Sequence, residues 1–501
     1  MQINSSMDKY FLGLDIGSSS VKAALVEVNW GECKASISKP EQEMQIIAAH
    51  QMWAEQDPDL WWRICCDCIK ALKEQHQLNT EQIIGVGISY QMHGLVTLDV
   101  NGNLLRPSII WCDGRAVSYG EKAFEQLGET YSATHLLNAP GNFTAAKLKW
   151  VKENEPHVFD KIDKIMLPGD YIAYRFTGVI NTTISGLSEG IFWDFEGNKV
   201  ADALLENLGI PSAYLPELVD TFSEQSKVSA KGAQESTLLE GTPILYRAGD
   251  QPNNALSLNV LNSGDIAATA GTSGVVYAVT DQKKTKELKR INNFAHVNHS
   301  VQHTSIGKLL CINGCGILYK WIKENLDLES YVQMNELAAK VPPGSDGLLI
   351  FPFGNGPERM FENKSMNFEL RGMQFNRHDK ATICRAALEG IAFSFYYGIK
   401  ILLEDGIPNG VIKAGNDNLF QAEIFGQTLA DLTQLEIQIY DTTGAIGAAR
   451  ACQMASFGQD QFSQSIEKND FVRSFHPKAE SEDITEVYNN WEFIITNQLN
   501  N

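Results

Sequence analysis

Two acidic residues stand where apolar runs meet small, turn-forming residues. Asp15 lies at the mouth of a Gly17-Ser18-Ser19 corner within Phe11 to Val26, FLGLDIGSSSVKAALV. Asp250 lies in Gly249-Asp250-Gln251-Pro252-Asn253-Asn254, just after the apolar run Ile244 to Tyr246. A Gly/Ser corner between apolar runs reads as a strand, a tight turn and a returning strand. The tip of such a hairpin offers successive backbone N–H groups and hydroxyls, a positive concavity suited to phosphate oxygens. A carboxylate at that tip suits Mg²⁺ held through water. A carboxylate at a strand end between two halves suits a general base, because phosphoryl transfer needs a group to take the acceptor hydroxyl's proton. Local composition leaves Asp15 open as a turn-capping acid and Asp250 as a plain turn acid.

The corner occurs twice. Asp265 to Val279, DIAATAGTSGVVYAV, carries Gly271-Thr272-Ser273. A shift of 271 − 17 = 254 superimposes Gly17 on Gly271, Ser19 on Ser273 and Val21 on Val275. Thr269 takes the place of Asp15 in the second copy; a phosphate cleft needs one carboxylate at its metal, so the asymmetry fits. The doubling implies a nucleotide gripped between two related domains.

Two further loops carry polar side chains at strand ends, where ligands of α/β sheets gather. Tyr90-Gln91-Met92-His93-Gly94 follows the apolar run IIGVGIS, and its neutral His could bind hydroxyls of a small polyol or be structural. In Trp111-Cys112-Asp113-Gly114-Arg115 the Asp and Arg suit polyol recognition, or form a surface ion pair worth little. No G-x-x-x-x-G-K-[ST] occurs, which excludes a P-loop.

The elements that must position these residues alternate. Leu60 to Gln75 has helical periodicity, Gln82 to Ser89 a short buried strand, and Thr144 to Lys152 and Pro168 to Phe176 read as helices. His378 to Leu403 reads as a long helix, Val411 to Lys413 leads into a loop, and Gly444 to Gln453 is small enough to pack tightly against that loop. Alternation argues for α/β sheets covered by helices, with a domain boundary near 245 to 250.

At 501 residues the chain exceeds one core, so two domains are expected. The formal charge, 41 − 61 = −20, disfavours nucleic acid and anionic membranes as partners. No stretch approaches the roughly 20 apolar residues of a membrane span. Met1 to Asp8 reads as a loose leader without the features of a secretory signal, so the expected location is cytoplasmic. The nine cysteines, including the C-x-x-C of Cys65 and Cys68, read as free, packed thiols.

In this order the segments resemble the FGGY carbohydrate kinases, a branch of the actin-like ATPase superfamily, over nearly the whole chain. Trp53-Ala54-Glu55-Gln56-Asp57-Pro58 with Trp61-Trp62, the Gln91 to Gly94 loop, Trp111 to Arg115 and Phe143 to Trp150 carry the likeness. The resemblance implies an α/β fold of two actin-like ATPase (ribonuclease H-like) domains around an interdomain cleft. Residues 1–247 would bind sugar and 248–501 nucleotide. It implies ATP-dependent phosphorylation of a ketopentose, D-xylulose at its C5 hydroxyl, with ribulose, glycerol or gluconate as rival substrates. Met92, His93 and Asp113 would then line the sugar pocket, Asp250 would be the base, and Asp15 would attend Mg²⁺. Ser18, Ser19 and Thr272 would contact phosphates. The family's glycine-rich adenosine loop reads here Lys413-Ala414-Gly415-Asn416-Asp417-Asn418, a departure in which Gly415, Asn416 and Asn418 would face the nucleoside. Gly314 would belong to a second nucleotide-side loop. A nucleotide switch of the same superfold is the alternative from another class, and a homodimer is the default assembly.

Overall fold

The computed structural model describes residues 8–478 and 482–500; most of the expected leader, Met1 to Met7, lies outside them. Two mixed sheets organise the chain. The first has six strands in the order Phe222–Lys227, Pro243–Gly249, Ile83–Tyr90, Tyr10–Ile16, Val21–Glu27, Cys33–Lys39. The second has seven, in the order Asn292–Ala295, Ile306–Ile312, Gly274–Thr280, Ile266–Ala270, Ile412–Gly415, Ile437–Tyr440, Phe471–Phe475. Each sheet joins an antiparallel meander to parallel strands. Strand 10–16 runs parallel to 83–90, and strand 266–270 runs parallel to 412–415. The repeat seen as a 254-residue offset is thus a repeat of topology, with the corners at the tips of the hairpins 10–27 and 266–280.

Strand 10–16 shows why the run FLGLDI folds centrally. Phe11, Leu12, Leu14 and Ile16 are all buried, as a strand covered on both faces requires. Gly13 sits beside Gly87 in register. A Cβ on Gly13 would collide with the carbonyl of Ala445, and one on Gly87 with that of Ala448. The paired glycines form a trough for the small-residue helix Gly444–Phe457. That helix therefore lies on the first sheet, 430 residues away in sequence from Leu14 (444 − 14), rather than against the loop after Lys413. It also packs on helix Asp250–Ser257, where Asn253 Nδ2 donates to Gly444 O at 2.9 Å.

The long helix Lys380–Glu404 starts at Asp379, whose carboxylate accepts from Thr382 N at 3.1 Å. By length and composition it could cross a membrane, against the expectation that no segment is apolar enough. With 78% of its apolar window buried, it is the central helix of the second core, packed with Phe351, Phe425 and Trp491. All nine cysteines are free, and Cys65, Cys66 and Cys68 are buried in helix Pro58–Gln75.

Candidate active site

Asp15 is the penultimate residue of its strand, and Ser89 is its neighbour in register. Ser89 Oγ donates to Asp15 Oδ1 at 2.8 Å. Burial pushes the Asp15 carboxyl up, and the Ser89 hydroxyl and Lys22 partly offset this. Oδ2 faces the start of helix 444–457: a Cβ on Gly444 would lie 2.6 Å from it. The corner after it is tied back by its carbonyls. Ser18 O accepts from Gln56 Nε2 at 2.7 Å and Ser19 O from Met44 N at 2.8 Å. A trans peptide points its N–H opposite its C=O, so the N–H groups of Ser19 and Ser20 turn away from those partners.

The second corner is held the same way by different partners. Gly271 O accepts from Gly316 N and Thr272 O from Ile317 N, both at 3.0 Å. The N–H groups of Thr272 and Ser273 therefore point away from helix Gly316–Asn325. Beside this corner opens a cavity of about 1330 Å³ whose walls include Gly271, Thr272, Gly316, Tyr319, Tyr331 and Asn418. The rings of Tyr319 and Tyr331 are stacked, 5.8 Å apart. Of the residues expected on the nucleotide side, Thr272 and Asn418 line this cavity. Gly314, Gly415 and Asn416 do not, nor do Ser18 and Ser19 of the first corner. Gly314 is pinned near Pro352 O, 2.5 Å from where its Cβ would be, and Asn416 N donates to Tyr440 O at 2.8 Å as strand 412–415 ends.

Asp250 opens helix 250–257 directly after strand 243–249. Burial raises its carboxyl to about 7, and the charge of Asp15 adds to the rise. The thiol of Cys311, in strand 306–312 of the second sheet, is pushed up to about 11 by burial, with smaller contributions that include the charge of Asp250. Asp250 thus lies within electrostatic reach of both sheets. Behind it sits Glu189, fully buried, with neither carboxylate oxygen hydrogen-bonded among the described residues. A Cβ on Gly249 would collide with Glu189 Oε2. Burial first, then Asp250 and Asp170, raise the Glu189 carboxyl well above its ordinary range. No local signal in SGLSEG distinguishes this acid from a surface one.

His93 holds a left-handed backbone, φ 63°, and its Nδ1 is 2.8 Å from Glu189 O. A carbonyl only accepts, so the proton sits on Nδ1 and Nε2 remains an acceptor. Burial pushes the ring down to about 3, which keeps it neutral. Its ring meets Phe143 edge-on at 5.0 Å and Phe294 of the second sheet at 5.4 Å. The buried Lys147 donates to His93 O at 2.8 Å. Met92 is buried next to Gly249.

Asp113 does something other than the expected sugar contact. It is fully buried, and its oxygens accept from Ala54 N at 2.5 Å, Arg115 N and Nε at 2.9 Å, and Arg115 Nη2 at 2.6 Å. With every lone pair engaged, it has none left for a ligand. Arg115 in turn bonds Glu55 at 2.6 Å and lies over Trp53, its guanidinium carbon 3.7 Å from the ring centre. The Asp–Arg pair is therefore buried and not a surface ion pair. It is a buried pin that joins the Trp53 to Pro58 and Trp111 to Arg115 segments, and the Arg115 guanidinium carbon also lies 4.8 Å from the ring centre of Trp150.

Residues 10–257 match the N-terminal domain, and 266–456 the C-terminal domain, of the FGGY family of carbohydrate kinases. A xylulose kinase of Bacillus subtilis (strain 168) is 30% identical over 94% of this chain and 94% of that protein. A gluconokinase of the same organism is 26% identical over 96% of this chain and 94% of that protein. The crystal structure of xylulose kinase from Rhodospirillum rubrum shares the fold at TM-score 0.86, with 23% identity over 98% of this chain and 99% of that one. The two-domain, actin-like ATPase architecture implied by the sequence is the architecture found. With both domain profiles in order along the chain and a relative at 30% identity across nearly all of it, the chain belongs to the FGGY family of carbohydrate kinases and is a sugar kinase.

Proposed function

We propose that this kinase transfers the terminal phosphoryl group of ATP to the C5 hydroxyl of D-xylulose, with Asp250 as general base. The single observation that carries this is the position of Asp250, at the head of a helix that packs on strands of both sheets. A base titrating near the working pH is both available as carboxylate and strong enough to take a hydroxyl proton. His93 Nε2, fixed as an acceptor, receives a second sugar hydroxyl, and Met92 packs against the carbon skeleton.

The two tied-back corners support the nucleotide side of the reading. Ser18, Ser19 and Thr272 offer N–H groups and hydroxyls to phosphates, while Asn418 and the tyrosine pair flank the nucleoside. Asp15 offers a hard-oxygen donor, and no group of three or more metal-ligating side chains occurs among the described residues. That fits Mg²⁺ carried largely by phosphates and water, which neutralises phosphate charge when bound. Closure of the domains excludes water and restrains wasteful hydrolysis. In this reading residues 1–247 chiefly serve the sugar and lend Asp15 and the Ser18-Ser19 corner to the phosphates, and 248–501 chiefly serve the nucleotide and lend Asp250 to the sugar, in a cytoplasmic enzyme.

A neutral polyol is favoured over a sugar acid by the cations available. Arg115 is committed to Asp113 and Glu55, and Lys147 to His93 O. Arg115 is held by two carboxylates, and burial lowers Lys147 to about 7, so neither offers a full, free positive charge to a substrate carboxylate. The test is ADP release over a panel of D-xylulose, D-ribulose, glycerol and gluconate. D-Xylulose should give the highest kcat/KM; gluconate or glycerol ahead by tenfold or more overturns the substrate.

A further inference from the structure

We propose that Glu358 is a positioning residue for the second phosphate corner, acting through the loop between strand 306–312 and helix 316–325. The inference rests on the nucleotide reading of that corner. Glu358 is fully buried, and its two oxygens grip two consecutive backbone N–H groups. Oε2 accepts from Asn313 N at 2.9 Å and Oε1 from Gly314 N at 2.8 Å. The Asn313 side chain returns a bond to Pro357 O at 2.6 Å, so the loop is clamped from both directions.

Two residues further on, the same loop fixes the corner. Gly316 N and Ile317 N bond Gly271 O and Thr272 O at 3.0 Å. Because each peptide is planar and trans, the orientation of those carbonyls dictates that of the N–H groups of Thr272 and Ser273. Gly314 and Gly316 let the strands of this relay approach. A Cβ on Gly314 would lie 2.5 Å from Pro352 O, and one on Gly316 would collide with Gly271 O. The relay therefore runs from Glu358 to Asn313 and Gly314, then to Gly316 and Ile317, and ends at the corner that faces the cavity.

A carboxylate suits this place because it is acceptor-only. A carboxamide would turn an NH₂ toward one of the two N–H groups and release half of the clamp. Burial pushes the Glu358 carboxyl up to about 7, and the two N–H donors oppose it by favouring the ionised, acceptor-only form that the clamp uses.

The test is a titration of full-length wild type and Glu358→Gln with ATP and, separately, with adenosine. The variant should bind ATP about tenfold more weakly, the cost of one charge-assisted bond, and adenosine within twofold of wild type. A merely structural role would weaken both ligands alike. Equal losses, or unchanged ATP binding, overturn the assignment. Wild type that binds no ATP overturns the nucleotide reading, and this inference with it. Should Glu358→Gln fail to fold, Glu358→Asp, which keeps the charge but shortens its reach, must show the same selective loss for ATP.

Discussion

Asp15, within its strand, and Asp250, just past the end of its own, stand at the same end of the first sheet on either side of strand 83–90. Ser89 lies beside Asp15 on one side and beside Ala248, two residues before Asp250, on the other. The charge of Asp15 helps raise the proton affinity of Asp250 to about 7. One acid is thereby kept as a strong base by the other.

Asp250→Asn removes the base with little change in volume. Turnover should fall by roughly 10³-fold, within the usual range for general bases, while both substrates bind within a few-fold of wild type. Stopped assays with calorimetric binding check this, and near-normal turnover removes Asp250 from the role.

The same carboxyl predicts a pH limb. Its folded value, about 7, lies above the ordinary 3.8, so log kcat/KM should rise with pH up to about 7 and then level. In Asp15→Asn the neighbouring charge is gone, and the limb of the residual activity should move to lower pH. A limb that stays put shows that Asp15 does not act on Asp250.

Stability follows with the opposite sign to a salt-bridged acid. Between about pH 4 and 7 the folded protein holds a proton on Asp250 that the unfolded chain has lost, so this group's contribution falls as pH rises through that window. Asp250→Asn should therefore be more stable than wild type above pH 7 and equal to it near pH 4. Urea titrations at the two pH values measure the difference.

His93 is neutral across the working range, since its ring sits near 3. His93→Ala should raise the sugar KM about tenfold or more and leave the ATP KM alone. Equal rises in both would report general damage.

Asp113→Ala would leave the buried Arg115 guanidinium with Glu55 as its one carboxylate partner. A loss of about 3–5 kcal/mol is expected, the usual result of breaking one side of a buried pair. A sugar ligand would instead show a raised KM at unchanged melting temperature.

The two corners were legible because an apolar run, small turn residues and a second apolar run specify a hairpin locally. Asp250 at its strand end was legible for the same reason, and so was the alternation of helix and strand. Glu189 and Glu358 were not, because nothing within a few residues of either marks it as buried. The burial of Asp113 was not legible, because part of what encloses it, Ala54 and Glu55, lies some 59 residues away. The small residues after Gly444 announced close packing, but their landing place, the trough at Gly13 and Gly87, lies in the other half of the chain.

By itself the sequence determined the backbone conformations, the duplicated hairpins and the residue types available for phosphoryl transfer. The tertiary structure alone decided which acids lose their water and which neighbours they meet. Turn and strand preferences act over a few consecutive residues, whereas proton affinity depends on desolvation and charge supplied by segments hundreds of residues apart.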